Sequence, residues 1–308
     1  MGETIPLWPG EFREPGGRRI FVRRDDSGGA PSHGRIVYVH GLAGASTDWT
    51  DLMGALSPEF TGEAPDLPGF GKSPPPPDGD YSLDAHAAAV ADLIREGEHP
   101  VHLVGNSMGG AAAVRVAADY PRLVRTLTLI SPALPDLWPR LIPYQMSGAL
   151  IPVVGPAVYA RIQSRPAEVR VQGTLDATFY DPSAASAQRV LDALEAERER
   201  DLCDYAHTAV LESLRGLVAE YLRIGRRSLW RQAAGISSPT LLVYADNDKF
   251  VNPRLSRRAA RTFPRNRLVL LPKSGHVPMM EHPERVAREL RPFVRAASPA
   301  GPGGGTVS

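Results

Sequence analysis

The pentapeptide Gly105-Asn106-Ser107-Met108-Gly109 constrains this chain more than any other feature, because of what stands on either side of it. Before it runs the apolar stretch Val101 to Val104 (VHLV), which reads as a buried strand. After it, Met108 to Tyr120 reads as a helix rich in small residues. A strand that reverses directly into a helix around a serine needs a turn so tight that the flanking residues must lack bulk, hence Gly105 and Gly109. The same geometry sets the helix N-terminus, with its free N–H groups and positive dipole end, beside the serine oxygen. Such a serine is a candidate nucleophile, and the surrounding chain must then be built of strands and helices in alternation.

The rest of the sequence supplies that alternation. Phe12 to Arg24 holds two short extended segments around Gly16-Gly17, which predict an antiparallel hairpin at a sheet edge. Arg35 to Val39 (RIVYV) predicts a buried strand, and Ala64 to Asp66 another strand end. Pro74 to Pro77 reads as a surface loop. Ala87, Val90, Ala91 and Ile94 share one face of a helix that begins near Leu83. Arg125 to Ile130 is a further strand. The order strand, helix, strand, helix, strand implies a mostly parallel sheet with helices on both faces.

From Leu134 to Gly235 the alternation stops and only helical patterns appear. One of them is the long apolar stripe Val210, Leu211, Leu214, Leu217, Val218, Tyr221 and Leu222, with Gly225 as a candidate helix end. Alternation resumes with a strand at Thr240 to Tyr244, a helix at Leu255 to Thr262 and a strand at Leu268 to Leu271. A last helix follows Pro283, with Pro292 placed to kink it. The expected organisation is an α/β core of residues 1–133 and 236–297, a helical cap of 134–235, and a disordered Gly/Pro-rich tail of 298–308.

Composition removes several function classes. A net charge of +1 offers no global attraction for nucleic acid or an anionic membrane. Cys203 is the only cysteine, so an internal disulfide and a multi-thiolate zinc site are both ruled out. No run approaches the ~20 apolar residues of a membrane helix, since Met146 to Ile162 is broken by Gly and Pro. The first ten residues lack the basic and apolar regions of a signal peptide, which predicts a cytoplasmic protein.

A serine becomes nucleophilic only with a base and a carboxylate that orients it. The strand TLLVY is followed by Ala245-Asp246-Asn247-Asp248, and RLVLL by Pro272-Lys273-Ser274-Gly275-His276. His276 is the predicted base, from its position after the final strand in Ser274-Gly275-His276. Asp246 and Asp248 compete for the carboxylate role; Asp248 is preferred, and Asp246 reads as a turn-capping residue. His40-Gly41-Leu42 follows the first inner strand, so the backbone N–H groups of Leu42 and Met108 are the expected oxyanion donors. His40 itself reads as a brace for that loop. Serine, imidazole and amides suffice for acyl transfer, so no metal and no organic cofactor is implied.

Taken in order, YVHGLAG, DLPGFGKS, VGNSMGG, the Asp248 turn and SGHVPMMEHPE resemble the α/β-hydrolase superfamily over nearly the whole chain. The resemblance implies an eight-stranded sheet, a lid after the sixth strand and a structural loop aspartate at Asp66. Ser107 stands where haloalkane dehalogenases and epoxide hydrolases have aspartate. Val277 stands where carbon–carbon bond hydrolases of meta-cleavage pathways typically have tryptophan, and Leu42 where perhydrolases usually have an aromatic residue. The expected function is therefore serine hydrolysis of a small-molecule carboxylic ester with an apolar acyl or alcohol part, lipase-like, with Leu42, Trp138 and Val277 lining the pocket. Thioesterase, acyltransferase, carbon–carbon hydrolase, perhydrolase and a receptor-like ligand binder remain as alternatives.

Overall fold

A computed structural model describes residues 5–25, 33–57, 59–97, 100–136, 140, 148, 150 and 154–298. Eight strands, β1 (Gly10–Arg13), β2 (Ile20–Arg24), β3 (Arg35–Val39), β4 (Thr61–Pro65), β5 (Val101–Asn106), β6 (Val124–Ile130), β7 (Thr240–Ala245) and β8 (Asn266–Leu271), form one sheet. Their order is β1-β2-β4-β3-β5-β6-β7-β8. β2 runs antiparallel to both its neighbours, and all other pairings are parallel. The predicted eight-stranded, mostly parallel architecture is present, with the β1–β2 hairpin at one edge.

The inner strands read as unbroken apolar runs because both faces of the sheet are covered. Successive side chains point to opposite faces, and the two cores divide accordingly. Val37, Val39, Leu103, Leu127, Leu129, Leu242 and Tyr244 pack into one. Ile36, Tyr38, Val104, Ile130, Leu241 and Val243 pack into the other. The first core is closed by α2 (Leu83–Glu96) and α3 (Ser107–Asp119), the second by α1 (Thr50–Leu56) and the C-terminal helix.

Between β6 and β7, which are neighbours in the sheet, the described residues form helices and no strand. These are α4 (Val154–Gln163), α5 (Ala167–Thr178), α6 (Ala187–Asp201), α7 (Ala206–Leu222) and α8 (Leu229–Gly235). After β7 come α9 (Leu255–Thr262), α10 (Pro278–Glu281) and α11 (Pro283–Ala297), which continues through Pro292. The apolar stripe of α7 is buried at Val210, Leu211 and Leu214, but it does not continue to its end: Tyr221 and Leu222 are exposed. The helix stops at Leu222, where Arg223 turns extended, before the Gly225 expected to end it. α1 had no signature in the sequence because its apolar positions span only two turns.

The inserted helices are tied to the core by a buried cation. Arg115 on α3 pairs with Glu220 of α7 at 2.7 Å and Asp84 of α2 at 2.9 Å, and donates to Gln232 of α8. At the C-terminal end, the Ser298 hydroxyl donates to the His33 carbonyl at 2.8 Å and lies 3.2 Å from His102 Nε2, closing α11 onto the sheet. The rest of the predicted tail, 299–308, lies outside the described residues. Among the described residues, no helix is long and apolar enough to cross a membrane.

Candidate active site

Ser107 is the first residue of α3 and has a φ of +53°, a left-handed conformation that residues other than Gly, Asn and Asp seldom adopt. The turn is as crowded as its sequence predicts. A Cβ on Gly105 would sit 2.4 Å from the Gly109 carbonyl oxygen, and one on Gly109 would sit 2.2 Å from the Val39 oxygen. α3 therefore lies against the end of β3, which brings the loop after β3 over the serine. A Cβ on Gly41 would be 3.2 Å from Ser107 Cβ. Leu42, the next residue, is partly buried against the core, and Met108 is fully buried.

Asp248 and His276 come from the loops after β7 and β8, and they meet. His276 Nδ1 lies 2.8 Å from Asp248 Oδ2, with both residues buried. A carboxylate accepts only, so Nδ1 carries the proton and Nε2 is left as the basic nitrogen. The other oxygen, Oδ1, accepts from the N–H groups of Phe250 (2.7 Å) and Val251 (2.9 Å). Burial by itself would raise the Asp248 pKa; His276 and the two amides outweigh it and hold the carboxyl below its usual range. Asp246, the competitor, is exposed and accepts from Asn247 and from Ser274 N at 3.4 Å, a turn role.

Two neighbours that sequence reasoning passed over complete the arrangement. Asn106, beside Ser107, donates from Nδ2 to the Ile130 carbonyl (3.1 Å) and the His276 carbonyl (3.2 Å). It thereby joins the serine turn to the histidine loop. Its signal was a polar residue in an otherwise apolar strand end, now fully buried. The Phe250 ring lies over the His276 imidazole, centroids 4.7 Å apart. Only its nearness to Asp248 in the chain pointed to it.

His40 takes the bracing role expected of it. It is fully buried, accepts from Leu67 N at Nε2 (2.9 Å) and so donates from Nδ1 to the Gly41 carbonyl (2.7 Å). Burial lowers its pKa, which favours this neutral form. Asp66 likewise holds loops, accepting from Ser46 N (2.6 Å) and Lys72 N (2.9 Å). Val277 is buried in the same core as Phe179 and Met279. Trp138 lies outside the described residues. Among the described residues, no group of three His, Cys, Asp or Glu side chains is arranged to hold a metal ion.

A mostly parallel eight-stranded sheet defines the α/β-hydrolase class when a left-handed serine joins strand to helix and a histidine–aspartate pair stands on two later loops. Residues 36–289 match the model of the alpha/beta hydrolase family, and the chain belongs to that family. It is 27% identical to Lipase 3 of Moraxella sp. (strain TA144) over 90% of this chain and 81% of that protein. It is 28% identical to a pimeloyl-[acyl-carrier protein] methyl ester esterase of Aeromonas hydrophila, over 84% of this chain and 94% of the relative. Its fold is also that of a crystal structure of a putative lipase from Acinetobacter baumannii AYE, with a TM-score of 0.78 at 20% identity, covering 94% of this chain and 91% of that one.

Proposed function

We propose that this protein is a serine hydrolase that cleaves a small-molecule carboxylic ester, with Ser107 as nucleophile, His276 as base and Asp248 as its orienting carboxylate. The observation that carries the reading is the buried 2.8 Å contact between His276 Nδ1 and Asp248 Oδ2, with the His276 loop joined by Asn106 to the Ser107 turn. It fixes the tautomer that leaves Nε2 free to take a proton. Relatives named lipase and methyl ester esterase support ester hydrolysis over the other reactions this arrangement permits.

In the reaction, Ser107 Oγ attacks the ester carbonyl carbon while His276 Nε2 takes its proton. The backbone N–H groups of Leu42 and Met108 hold the oxygen that becomes negative; one such donor contributes about 3 kcal/mol in comparable sites. Collapse breaks the bond to the alkoxy oxygen, which leaves with the proton from His276. Water then attacks the acyl-serine, gives its proton to His276, and the acid departs as Ser107 recovers that proton. Residues 1–133 and 236–297 form the catalytic core, 134–235 form a cap, and Leu42 and Val277 shape the pocket for an apolar group.

A panel of p-nitrophenyl esters of increasing acyl length tests this reading. Wild type turns over the panel with a preference among acyl chains, and Ser107→Ala and His276→Ala lose at least a thousandfold in kcat. A folded wild type inactive on every ester, or a Ser107→Ala variant of undiminished activity, contradicts it.

A further inference from the structure

The inserted helices also reach the candidate site. At the C-terminal end of α5, residues 176–181 form a strap that touches both loops of the candidate site. Lys249, next to Asp248, donates from Nζ to the Asp176 carbonyl. His276 donates its own backbone N–H to the Thr178 carbonyl. Gly275 leaves no gap there: a Cβ on it would sit 2.2 Å from the Thr178 oxygen and 2.6 Å from the Phe179 carbonyl carbon. Phe179, 3% exposed, anchors the strap in the core.

One side chain locks this junction. Glu281, at the end of α10, has a carboxylate with no solvent exposure. Its Oε2 accepts from Gly275 N at 2.7 Å, and its Oε1 from Tyr180 N (3.1 Å) and Asp181 N (2.9 Å). A buried carboxylate is costly unless donors surround it, and these three N–H groups belong to segments about a hundred residues apart in the chain. The carboxylate thus clamps the strap to the residue before His276.

We infer that Glu281 is a positioning residue for the reaction: it fixes the His276 loop against the strap so that the imidazole faces Asp248 and Ser107 together. The inference rests on the reading of His276 as base. Glu281→Gln tests it with little change in volume. The single amide oxygen serves one side of the clamp, while the NH2 group confronts N–H donors on the other. The variant, shown folded by its thermal transition, loses at least tenfold in kcat on a short p-nitrophenyl ester with KM changed less than threefold.

A lower unfolding temperature with wild-type kcat and KM overturns the inference and leaves Glu281 a stability residue. His276→Ala and Ser107→Ala run in parallel separate the two claims. If they are inactive while Glu281→Gln matches wild type, only the clamp fails; if they stay active, the underlying site assignment fails. Should Glu281→Gln not fold, Lys249→Met decides, since Lys249 is exposed. A kcat reduced at least twofold at unchanged KM supports the strap's role, and a wild-type kcat overturns it.

Discussion

Replacing Asp248 by Asn would invert the imidazole rather than merely remove a charge. Asp248 Oδ1 accepts two backbone N–H groups, from Phe250 and Val251, while Oδ2 faces His276 Nδ1. An asparagine must keep its one oxygen on those two amides. Turning it around would leave two buried donors unpaired, at about 1–3 kcal/mol each. Its NH2 group then points at Nδ1, which must accept, so the imidazole proton moves to Nε2. That nitrogen can no longer take the serine proton. In a Ser–His–Asp arrangement the wrong tautomer costs about 10⁴-fold in kcat, or roughly 5 kcal/mol of barrier. Initial rates of p-nitrophenyl ester hydrolysis near neutral pH measure the effect, with Asp246→Asn as control. Asp246 is an exposed turn residue, and its variant stays within threefold of wild type. A folded Asp248→Asn within tenfold of wild type, or an Asp246→Asn that is the more damaged, refutes the assignment.

The left-handed serine makes Ser107→Gly more stable than Ser107→Ala by about 1 kcal/mol in urea unfolding, although both are inactive; equal midpoints would mean the turn is unstrained. Gly109→Ala drives a methyl group toward the Val39 carbonyl, 2.2 Å from its oxygen, and lowers stability by about 3 kcal/mol or more or prevents folding; a soluble variant with an unchanged midpoint argues against the close packing of α3. Burial depresses the His102 pKa from 6.5 to about 4, the first cause being loss of solvent and the next the charge of Arg125. Because the folded value is the lower one, the stabilisation is complete above the unfolded pKa and is lost as pH falls toward 4. That amounts to about 2 kcal/mol between pH 7.5 and pH 5. Urea midpoints across that range check it, and His102→Gln flattens the slope.

The middle of the sheet was legible because its inner strands are buried on both faces. RIVYV, VHLV and TLLVY are near-continuous apolar runs, and the helices between them carry one-sided patterns. The candidate site was legible where chemistry and chain order coincide: the sequence points to Ser107, His276 and the Asp248 turn, and the fold brings His276 and Asp248 together. Asp248 is preferred over Asp246 on sequence alone, although both follow the same strand; the turn leaves Asp246 exposed and buries Asp248. Asn106 and Glu281 both stood in motifs quoted from the sequence, yet their work is to hold backbone groups far along the chain. Their partners, the His276 carbonyl and the N–H groups of Tyr180 and Asp181, leave no pattern in the sequence. The same holds for the strap at 176–181, whose register against Gly275 is set by tertiary packing alone. The end of α7 differs from its sequence pattern: Tyr221 and Leu222 continue the apolar stripe but are exposed.

The most direct test of the account is to find which side chain a fluorophosphonate modifies. Wild type is incubated with the reagent, its stoichiometry is read from intact mass, and the site is located by peptide mapping. One adduct per chain is expected, on Ser107, formed much more slowly in His276→Ala and absent from Ser107→Ala. No adduct on folded wild type, or an adduct elsewhere that persists in Ser107→Ala, contradicts it.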